Sequence, residues 1–444
     1  MNVAVVGSGY VGLVTGVCLA KLGHSVICVD VNAERIAQIS SGESPIVEPG
    51  LRELLQEQLQ NGRFHVTTDL TTAVRSSALT MIAVGTPFGG EEIDLRYVIQ
   101  ASEDIGATLK EMREYHVVVV KSTVVPTTTD TIVAPALARA SGKAIGEELG
   151  LAMNPEFLQE GSAVANFLDP DRIVIGGWDE QSAARVAELY APFSCPIVTT
   201  SLRNAELIKY ASNALLATMI SFSNELASLC ETLPGLDIEA IMDGLHLDRR
   251  LTPMHNGAPV RPGILSYLRA GSGFGGSCLP KDVRALEAFA SSKGVSTSML
   301  HAVMDVNGRR PKVLVDRLRA LLGNLDGCKI AVLGVAFKPG TDDTRDSPAL
   351  KLIDELLAGG ADVHVFDPVA AAPADRRVTS AGSLCEVVRN ATAAVLATAW
   401  PEFVSADWPA LLSQMARPMI VDGRNALRHV QWPAGTQYIC VGRL

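Results

Sequence analysis

No two cysteines in this chain are spaced as Cys-x-x-Cys, and its 8 cysteines follow no regular pattern. That argues against a disulfide framework or a zinc site and suits a reducing compartment. No lysine or arginine cluster stands out against a net charge of -10, so a nucleic-acid surface is not expected. No signal-like segment precedes the first strand, which starts almost at Met1. Apolar runs are short or interrupted. The uncharged stretch from Tyr210 to Asn224 carries Ser212, Asn213, Ser221 and Ser223. It reads as a buried helix, too short and polar to span a membrane. A cytoplasmic protein without metal, membrane or nucleic-acid partners is the expectation. What is present is ordinary for a globular chain: 444 residues, 48% hydrophobic and 19% charged. That length predicts two or three domains with ample core.

Asn2-Val3-Ala4-Val5-Val6 is an apolar run suited to a buried parallel strand. It leads into Gly7-Ser8-Gly9-Tyr10-Val11-Gly12. An amphipathic helix is expected from about Val11 to Leu22, then a strand over Ser25–Val29 ending at Asp30. This is the dinucleotide fingerprint in order. Gly7 makes the tight turn, Gly9 lets pyrophosphate touch backbone, and Gly12 permits close helix–strand packing. The helix N-terminus, at Tyr10 and Val11, faces the phosphates. Asp30 would accept hydrogen bonds from the adenine ribose and repel a 2′-phosphate, which selects NAD over NADP. Arg35 is read either as packing near the adenine or as a surface arginine.

Further strands are expected at Leu79–Val84, Val117–Val120 and Leu151–Met153. They end in loops carrying Thr86, then Lys121-Ser122-Thr123, then Asn154-Pro155-Glu156-Phe157-Leu158-Gln159-Glu160. Ligands gather at that carboxyl edge. Thr123 is either a cap or a residue holding water over the nicotinamide. Glu156 and Glu160, each taken alone, read as exposed loop carboxylates. From about Arg203 the pattern turns to long helices, Asn204 to Glu231 and Ser298 to about Leu322, which offer a dimer surface. Lys209 and Asn213 fall one turn apart. Such a lysine either snorkels to water or steadies a developing oxyanion. A second α/β unit starts near Cys328. Lys329–Gly334 echoes the first strand and Asp362–Asp367 the strand that ended at Asp30, but the glycine fingerprint is missing. Phe337-Lys338-Pro339-Gly340 and the run to Arg345 stand in its place. This reads as a second nucleotide-type ligand gripped by Lys338 and Arg345, or as a degenerate domain with solvated charges. The expected architecture is α/β: two Rossmann-like doubly wound domains, 1–200 and 326–444, joined by a central helical domain, 201–325.

The stretch around which the rest is organised is Gly271-Ser272-Gly273-Phe274-Gly275-Gly276-Ser277-Cys278-Leu279-Pro280-Lys281-Asp282. Pro280 suits the first position of a helix. Cys278 would then sit at its positive end with Lys281 close by, and both favour the thiolate. Asp282 lies one turn further on the same face. The glycines leave room for a ligand to approach the backbone. An ordinary alcohol dehydrogenase needs no thiolate. One is needed if the aldehyde goes on to an acid: it adds to give a thiohemiacetal, which loses a second hydride, and the thioester is hydrolysed.

The chain resembles the UDP-glucose/GDP-mannose dehydrogenase family over nearly its whole length. The markers are Gly7 to Gly12, Asn154 to Leu158, Glu206-Leu207-Ile208-Lys209-Tyr210, Gly273 to Asp282, and Phe337-Lys338 with Asp343-Thr344-Arg345. The resemblance implies oxidation of C6 of a nucleotide-linked hexose to a carboxylate, with two NAD per turnover. UDP-glucose is the expected substrate, and UDP-glucuronate the product. It implies Cys278 as covalent nucleophile and Lys209 and Asn213 as oxyanion stabilisers, with Lys209 also exchanging a proton. Asp282 and Thr123 position or activate water, and Glu156 is an acid/base in hydrolysis. Phe157, Leu158, Lys338, Gly275 and the segment Tyr267-Leu268-Arg269 to Gly271 hold the sugar nucleotide. Thr86, Glu160, Lys281 and Arg345 contact NAD. At least a dimer is implied, with the central helices as its interface.

One departure stands out. Extra sequence, Thr252 to about Pro262, separates Asp248-Arg249-Arg250-Leu251 from Ile264. The family arginine that reaches a neighbouring subunit is Arg250 or Arg261. GDP-mannose or a UDP-N-acetylhexosamine is the alternative substrate, and Ser277, where the latter branch carries histidine, counts against it. A two-electron hydroxyacid dehydrogenase and a non-catalytic NAD-binding protein are the readings outside this chemistry.

Overall fold

A computed structural model describes residues 1–374 and 377–444. It divides into two units, Met1–Ser212 and Asn213–Leu444.

In the first unit, β1 (Asn2–Val6), β2 (Ser25–Val29), β3 (Phe64–Thr67), β4 (Leu79–Ile82), β5 (His116–Val120), β6 (Leu149–Met153), β7 (Ile173–Gly177) and β8 (Ile197–Ser201) form one sheet. Its order is β3-β2-β1-β4-β5-β6-β7-β8. Every pair is parallel except β6 with β7. The first six strands follow the doubly wound order, with a switch point between β1 and β4. Val117 to Val120 are buried on both faces, as a central parallel strand requires.

The helix Tyr10–Lys21 departs from the amphipathic expectation, because Gly12 through Ala20 are all buried. It packs against β1 and β2 and is covered by the helices Leu51–Gln60 and Ala163–Leu168. A helix closed in on several sides is apolar all round.

In the second unit, the helices Ile238–His246, Leu279–Ser292 and Ser298–Leu322 precede a six-stranded sheet. That sheet is β11 (Lys329–Leu333), β12 (Asp362–Phe366), β13 (Val378–Ser380), β14 (Ala393–Leu396), β15 (Met419–Asp422) and β16 (Gln437–Cys440). The order β13-β12-β11-β14-β15-β16 is parallel throughout and repeats the doubly wound pattern. One apolar core joins this sheet to Ala227, Ile238 and Leu314 of the helices. The buried Arg310–Glu231 pair, 2.9 Å, ties the helix Ser298–Leu322 to the end of the helix Leu202–Cys230, and Gly442 N–H donates to the same carboxylate. The insertion folds as a small hairpin, β9 (Met254–His255) with β10 (Ala258–Pro259). Among the described residues no helix is long and apolar enough to cross a membrane.

Candidate active site

The carboxyl edge of the first sheet collects most of the residues singled out in that unit. Gly7 has φ +104°, and a Cβ there would lie 2.6 Å from the Ala83 carbonyl oxygen. A Cβ on Gly12 would lie 1.9 Å from the carbonyl oxygen of Gly7. Neither position admits another residue without moving backbone. Nothing lies within 4 Å of a Cβ placed on Gly9, so the space in front of it is open. Gly9 caps the helix without a side-chain hydrogen bond, and no acidic residue occupies its first turn. The N–H groups of Tyr10 and Val11 therefore remain for an anion.

Asp30 Oδ2 accepts from Ser8 N–H at 2.8 Å and Ser8 O–H at 2.6 Å, and Oδ1 accepts from Asn32 N–H at 3.0 Å. Burial works to raise this carboxyl, but Ser8, Asn32 and Arg35 hold it below its ordinary range. It is ionised, and its remaining lone pairs suit ribose hydroxyls. Arg35 lies 3.9 Å from it. The cradle fits NAD by shape and by charge.

Thr86 donates its hydroxyl to the Thr123 carbonyl at 2.8 Å, which joins the loops after β4 and β5. Beyond Thr123, Glu206 accepts the N–H groups of Thr127 and Thr129, each at 2.7 Å. Burial pushes the Glu206 carboxyl up to about 7 against those donors.

The loop after β6 corrects two expectations. Glu156 and Glu160 are buried, not exposed. Lys209 does not snorkel: its side chain is 3% exposed and its Nζ lies 2.8 Å from Glu156 Oε1. Glu156 also accepts the Leu158 N–H at 2.6 Å. Burial acts to raise the Glu156 carboxyl, but Lys209, the Leu158 N–H and Lys121 outweigh it and hold it low. The Phe157 ring lies under two cations, with Arg172 at 4.1 Å and Lys209 at 5.6 Å from its centroid.

Two residues of this unit escaped the sequence reading. Glu48 accepts from the Tyr10 hydroxyl and from Gly161 and Ala163 N–H, the last two at 2.7 Å. It fixes the loop that carries Glu160 to the helix of the glycine turn. Lys121, directly after β5, is buried too.

In the second unit Cys278 caps the helix Leu279–Ser292. Its carbonyl already accepts the Asp282 N–H at 2.9 Å, so Leu279 takes the first helical position and Pro280 the second, not the first as expected. No helical donor is lost, since that N–H would also be without a helical partner. The Cys278 sulfur lies 3.6 Å from the Ser277 hydroxyl. Asp282, 1% exposed, accepts from Asn213 Nδ2 and from Lys281 Nζ, both at 2.6 Å.

The glycine loop corrects another expectation: protein, not ligand space, fills the room around several of its glycines. A Cβ on Gly273 would meet Asn307, on Gly275 the Asp346 carbonyl, and on Gly276 the Phe337 ring, all at 2.5 to 2.7 Å. Asn224 accepts the Gly271 N–H at 2.8 Å. Asn307 bonds both N–H and C=O of Phe274, at 2.8 and 2.9 Å. Arg424 donates to the Gly273 carbonyl at 2.9 Å. The Arg345 carbonyl accepts the Gly276 N–H at 2.8 Å, while its guanidinium pairs with Asp343. Lys338 Nζ lies 5.6 Å from the Phe337 ring centroid, in the same segment.

Upstream, the Leu268 carbonyl faces His246 Nε2 at 3.2 Å, and Arg269 pairs with Glu239 and Asp243. Tyr267 is half-buried. Arg250 pairs with Asp248, and Arg261 lies 4.0 Å from Asp243; both are exposed.

The second sheet keeps the outline of the first without its ribose acid. Asp367, which stands where Asp30 does, accepts N–H groups from Val335, Ala336, Val369, Ala370 and the Trp400 indole. A carboxylate so occupied has no lone pairs left for a sugar hydroxyl.

Three domain models of one family match this chain. They are the NAD binding domain of the UDP-glucose/GDP-mannose dehydrogenase family over residues 1–194, its central domain over 203–309, and its UDP binding domain over 331–429. UDP-glucose 6-dehydrogenase AglM of Haloferax volcanii is 41% identical over 433 residues, 96% of each chain. A UDP-glucose dehydrogenase structure from Pyrobaculum islandicum is 38% identical with a TM-score of 0.89, covering 100% of this chain and 98% of that one. A UDP-D-ManNAc dehydrogenase structure from Pyrococcus horikoshii is 31% identical with a TM-score of 0.85, covering 100% and 99%.

Proposed function

Because the chain belongs to the UDP-glucose/GDP-mannose dehydrogenase family, we propose that this NAD-dependent nucleotide-sugar dehydrogenase converts UDP-glucose to UDP-glucuronate by two oxidations at C6. The observation that carries the double oxidation is Cys278 at the start of the helix Leu279–Ser292, with Asp282 held between Asn213 and Lys281. UDP-glucose is preferred because AglM and the Pyrobaculum enzyme, the more identical relatives, are named for it. The UDP-D-ManNAc enzyme is a more distant match.

We assign 1–200 to the cofactor, 201–325 to subunit contact and the cysteine loop, and 326–444 to the nucleotide. NAD, when bound, accepts one hydride in each oxidation; Gly7 to Gly12 and Asp30 hold it, with Thr86, Glu160, Lys281 and Arg345. Lys209, in its neutral form, takes the proton lost as the alcohol becomes an aldehyde, and it is the resulting ammonium in the steps that follow. The Cys278 thiolate adds to the aldehyde carbon, and Lys209 and Asn213 stabilise the resulting oxyanion. Loss of the second hydride leaves a thioester. Glu156 removes a proton from the attacking water, Asp282 and Thr123 position that water, and the thiolate leaves with the electron pair of the C–S bond. Lys338, Phe157, Leu158, Gly275 and Tyr267 to Gly271 hold the sugar nucleotide. Purified protein is expected to form two NADH per UDP-glucose consumed and to leave GDP-mannose and UDP-N-acetylhexosamines largely unused. A ratio of one ends the double oxidation, and a better rate on another sugar nucleotide reassigns the substrate.

We also propose a homodimer through the helix Leu202–Cys230. Its Leu207, Leu215, Phe222 and Leu229 are 44 to 55% exposed and recur every seven or eight residues. That spacing makes one apolar stripe. Sedimentation equilibrium is expected to give twice the mass of the chain or a multiple of it, and a monomer rejects the assignment.

A further inference from the structure

Lys121 directly follows β5 and is buried, 4% exposed. It faces Asn154 Oδ1 at 2.9 Å, the Pro155 carbonyl at 3.5 Å and the Tyr190 hydroxyl at 3.4 Å. Three hydrogens meet three oxygens, and all three oxygens are neutral. Tyr190 in turn donates to Asn154 Oδ1 at 2.5 Å, and Asn154 Nδ2 donates to the Val174 carbonyl at 2.7 Å. The turn Asn154-Pro155 is thus pinned from both sides, and the next residue is Glu156.

A buried ammonium with only neutral acceptors carries a large desolvation cost. The carboxylate that offsets it is Glu156, which lines the same cavity as Lys121, together with Asp169, Asp171 and Arg172. Glu156 is already paired with Lys209. One buried anion is therefore shared by two buried cations, one just after β5 and one from the helix Leu202–Cys230.

We infer that Lys121 is a positioning residue for Glu156: it aims the carboxylate through the Asn154-Pro155 turn and keeps it ionised when Lys209 turns its charge to the substrate or gives up its proton. The inference rests on the proposed role of Glu156 in thioester hydrolysis. A salt bridge to Lys209 alone would fail at the moment it is needed, because Lys209 is assigned to the oxyanion. Lys121 makes no such exchange, since its hydrogens are all committed to the turn and to Tyr190. The groups facing Glu156 are Lys209, Lys121 and the Leu158 N–H. Those facing Lys121 are Asn154, Pro155, Tyr190, Glu156 and Lys209. Burial pulls the Lys121 ammonium down to about 8, with Glu156 opposing and Lys209 adding to the pull. It therefore remains largely charged at neutral pH, where hydrolysis must run.

The test is the pH profile of kcat for carboxylate formation in Lys121→Met, Lys121→Gln and Lys121→Arg, each checked for fold by circular dichroism. The acid limb is expected to move up by about one pH unit in the two neutral variants, the size of a typical charge effect at close range, and to stay in place in the arginine variant. Tyr190→Phe, which removes a neutral group, is expected to leave that limb where it is. An unmoved limb in a folded neutral variant overturns the inference. If neither neutral variant folds, a ¹³C-carboxyl NMR titration of Glu156 in Lys209→Met decides: a carboxyl still ionised at pH 7 supports the inference, and one protonated there overturns it. Glu156→Gln separates the two readings. If that variant builds up no Cys278-bound adduct with UDP-glucose and NAD, the hydrolysis role fails whatever Lys121 does. If the adduct appears and the acid limb is unmoved, only the role of Lys121 falls.

Discussion

Cys278→Ala is expected to slow carboxylate formation by on the order of 10⁴-fold or more, the loss typical of removing a covalent nucleophile. The first oxidation needs no sulfur, so a single turnover should still yield up to one NADH per site together with aldehyde. Folding is not at stake. The thiol makes no capping hydrogen bond to the helix Leu279–Ser292, and the loop is held by Asn224, Asn307 and Arg424 through backbone groups the substitution leaves alone. The unfolding temperature should therefore stay within a few degrees of the wild type, since a half-buried surface change costs under about 1 kcal/mol. Affinity for NAD should also hold, because Cys278 is not among the residues assigned to it. The measurement is rapid-quench NADH formation followed by product analysis. A variant that matches the wild type in rate, with both stopping at one NADH per substrate, points to a two-electron hydroxyacid dehydrogenase. One that binds NAD but turns over no sugar nucleotide even once, like the wild type beside it, points to a binding protein.

How much of this was legible beforehand depended on how far apart the partners lie. Gly7, Gly9, Gly12 and Asp30 sit within one βαβ unit, and spacing alone placed them. The repeat of that unit after Cys328 was legible for the same reason, as was the helix that starts just after Cys278. Glu48 was not, because its acceptor role is defined by Gly161 and Ala163, more than a hundred positions away. In the sequence Lys121 is only the residue that follows a strand, since Tyr190 and Asn154 give it meaning and neither is near in sequence. Asp367 looked like a copy of Asp30. Its five N–H donors show that the same letter in the same place has become a structural plug. The packed glycines of the cysteine loop make the same point. Composition marked close approach, but which atoms approach is a tertiary fact. The insertion 252–262 carried no periodicity long enough to announce its short hairpin.

Lys209→Met is the second large effect, and it separates stability from chemistry. The substitution leaves Glu156, 5% exposed on its side chain, without its 2.8 Å partner. Removing one member of a buried pair typically costs about 3–5 kcal/mol, a large share of a marginal stability. In the wild type the folded Glu156 carboxyl lies below its unfolded value, so the stability it contributes is present above about pH 4.3 and fades as pH falls through the folded value. In the variant burial outweighs what Lys121 and the Leu158 N–H still supply, so the folded value rises above the unfolded one while the carboxylate stays ionised at pH 7. The variant should then gain stability as pH falls through that raised value, and its gap from the wild type should be widest near pH 7 and narrow toward pH 4. Adding Glu156→Gln to Lys209→Met removes the stranded charge and should restore part of the lost stability at neutral pH. It should restore no activity: with the oxyanion's cation gone, kcat is expected to fall about 10²–10³-fold, and further with the hydrolytic carboxylate gone. Urea unfolding across pH beside steady-state rates reads both effects on the same samples. Equal stability losses at pH 4 and pH 7 would mean that Glu156 carries no charge in the folded protein, and the electrostatic account of the pair would fall with it.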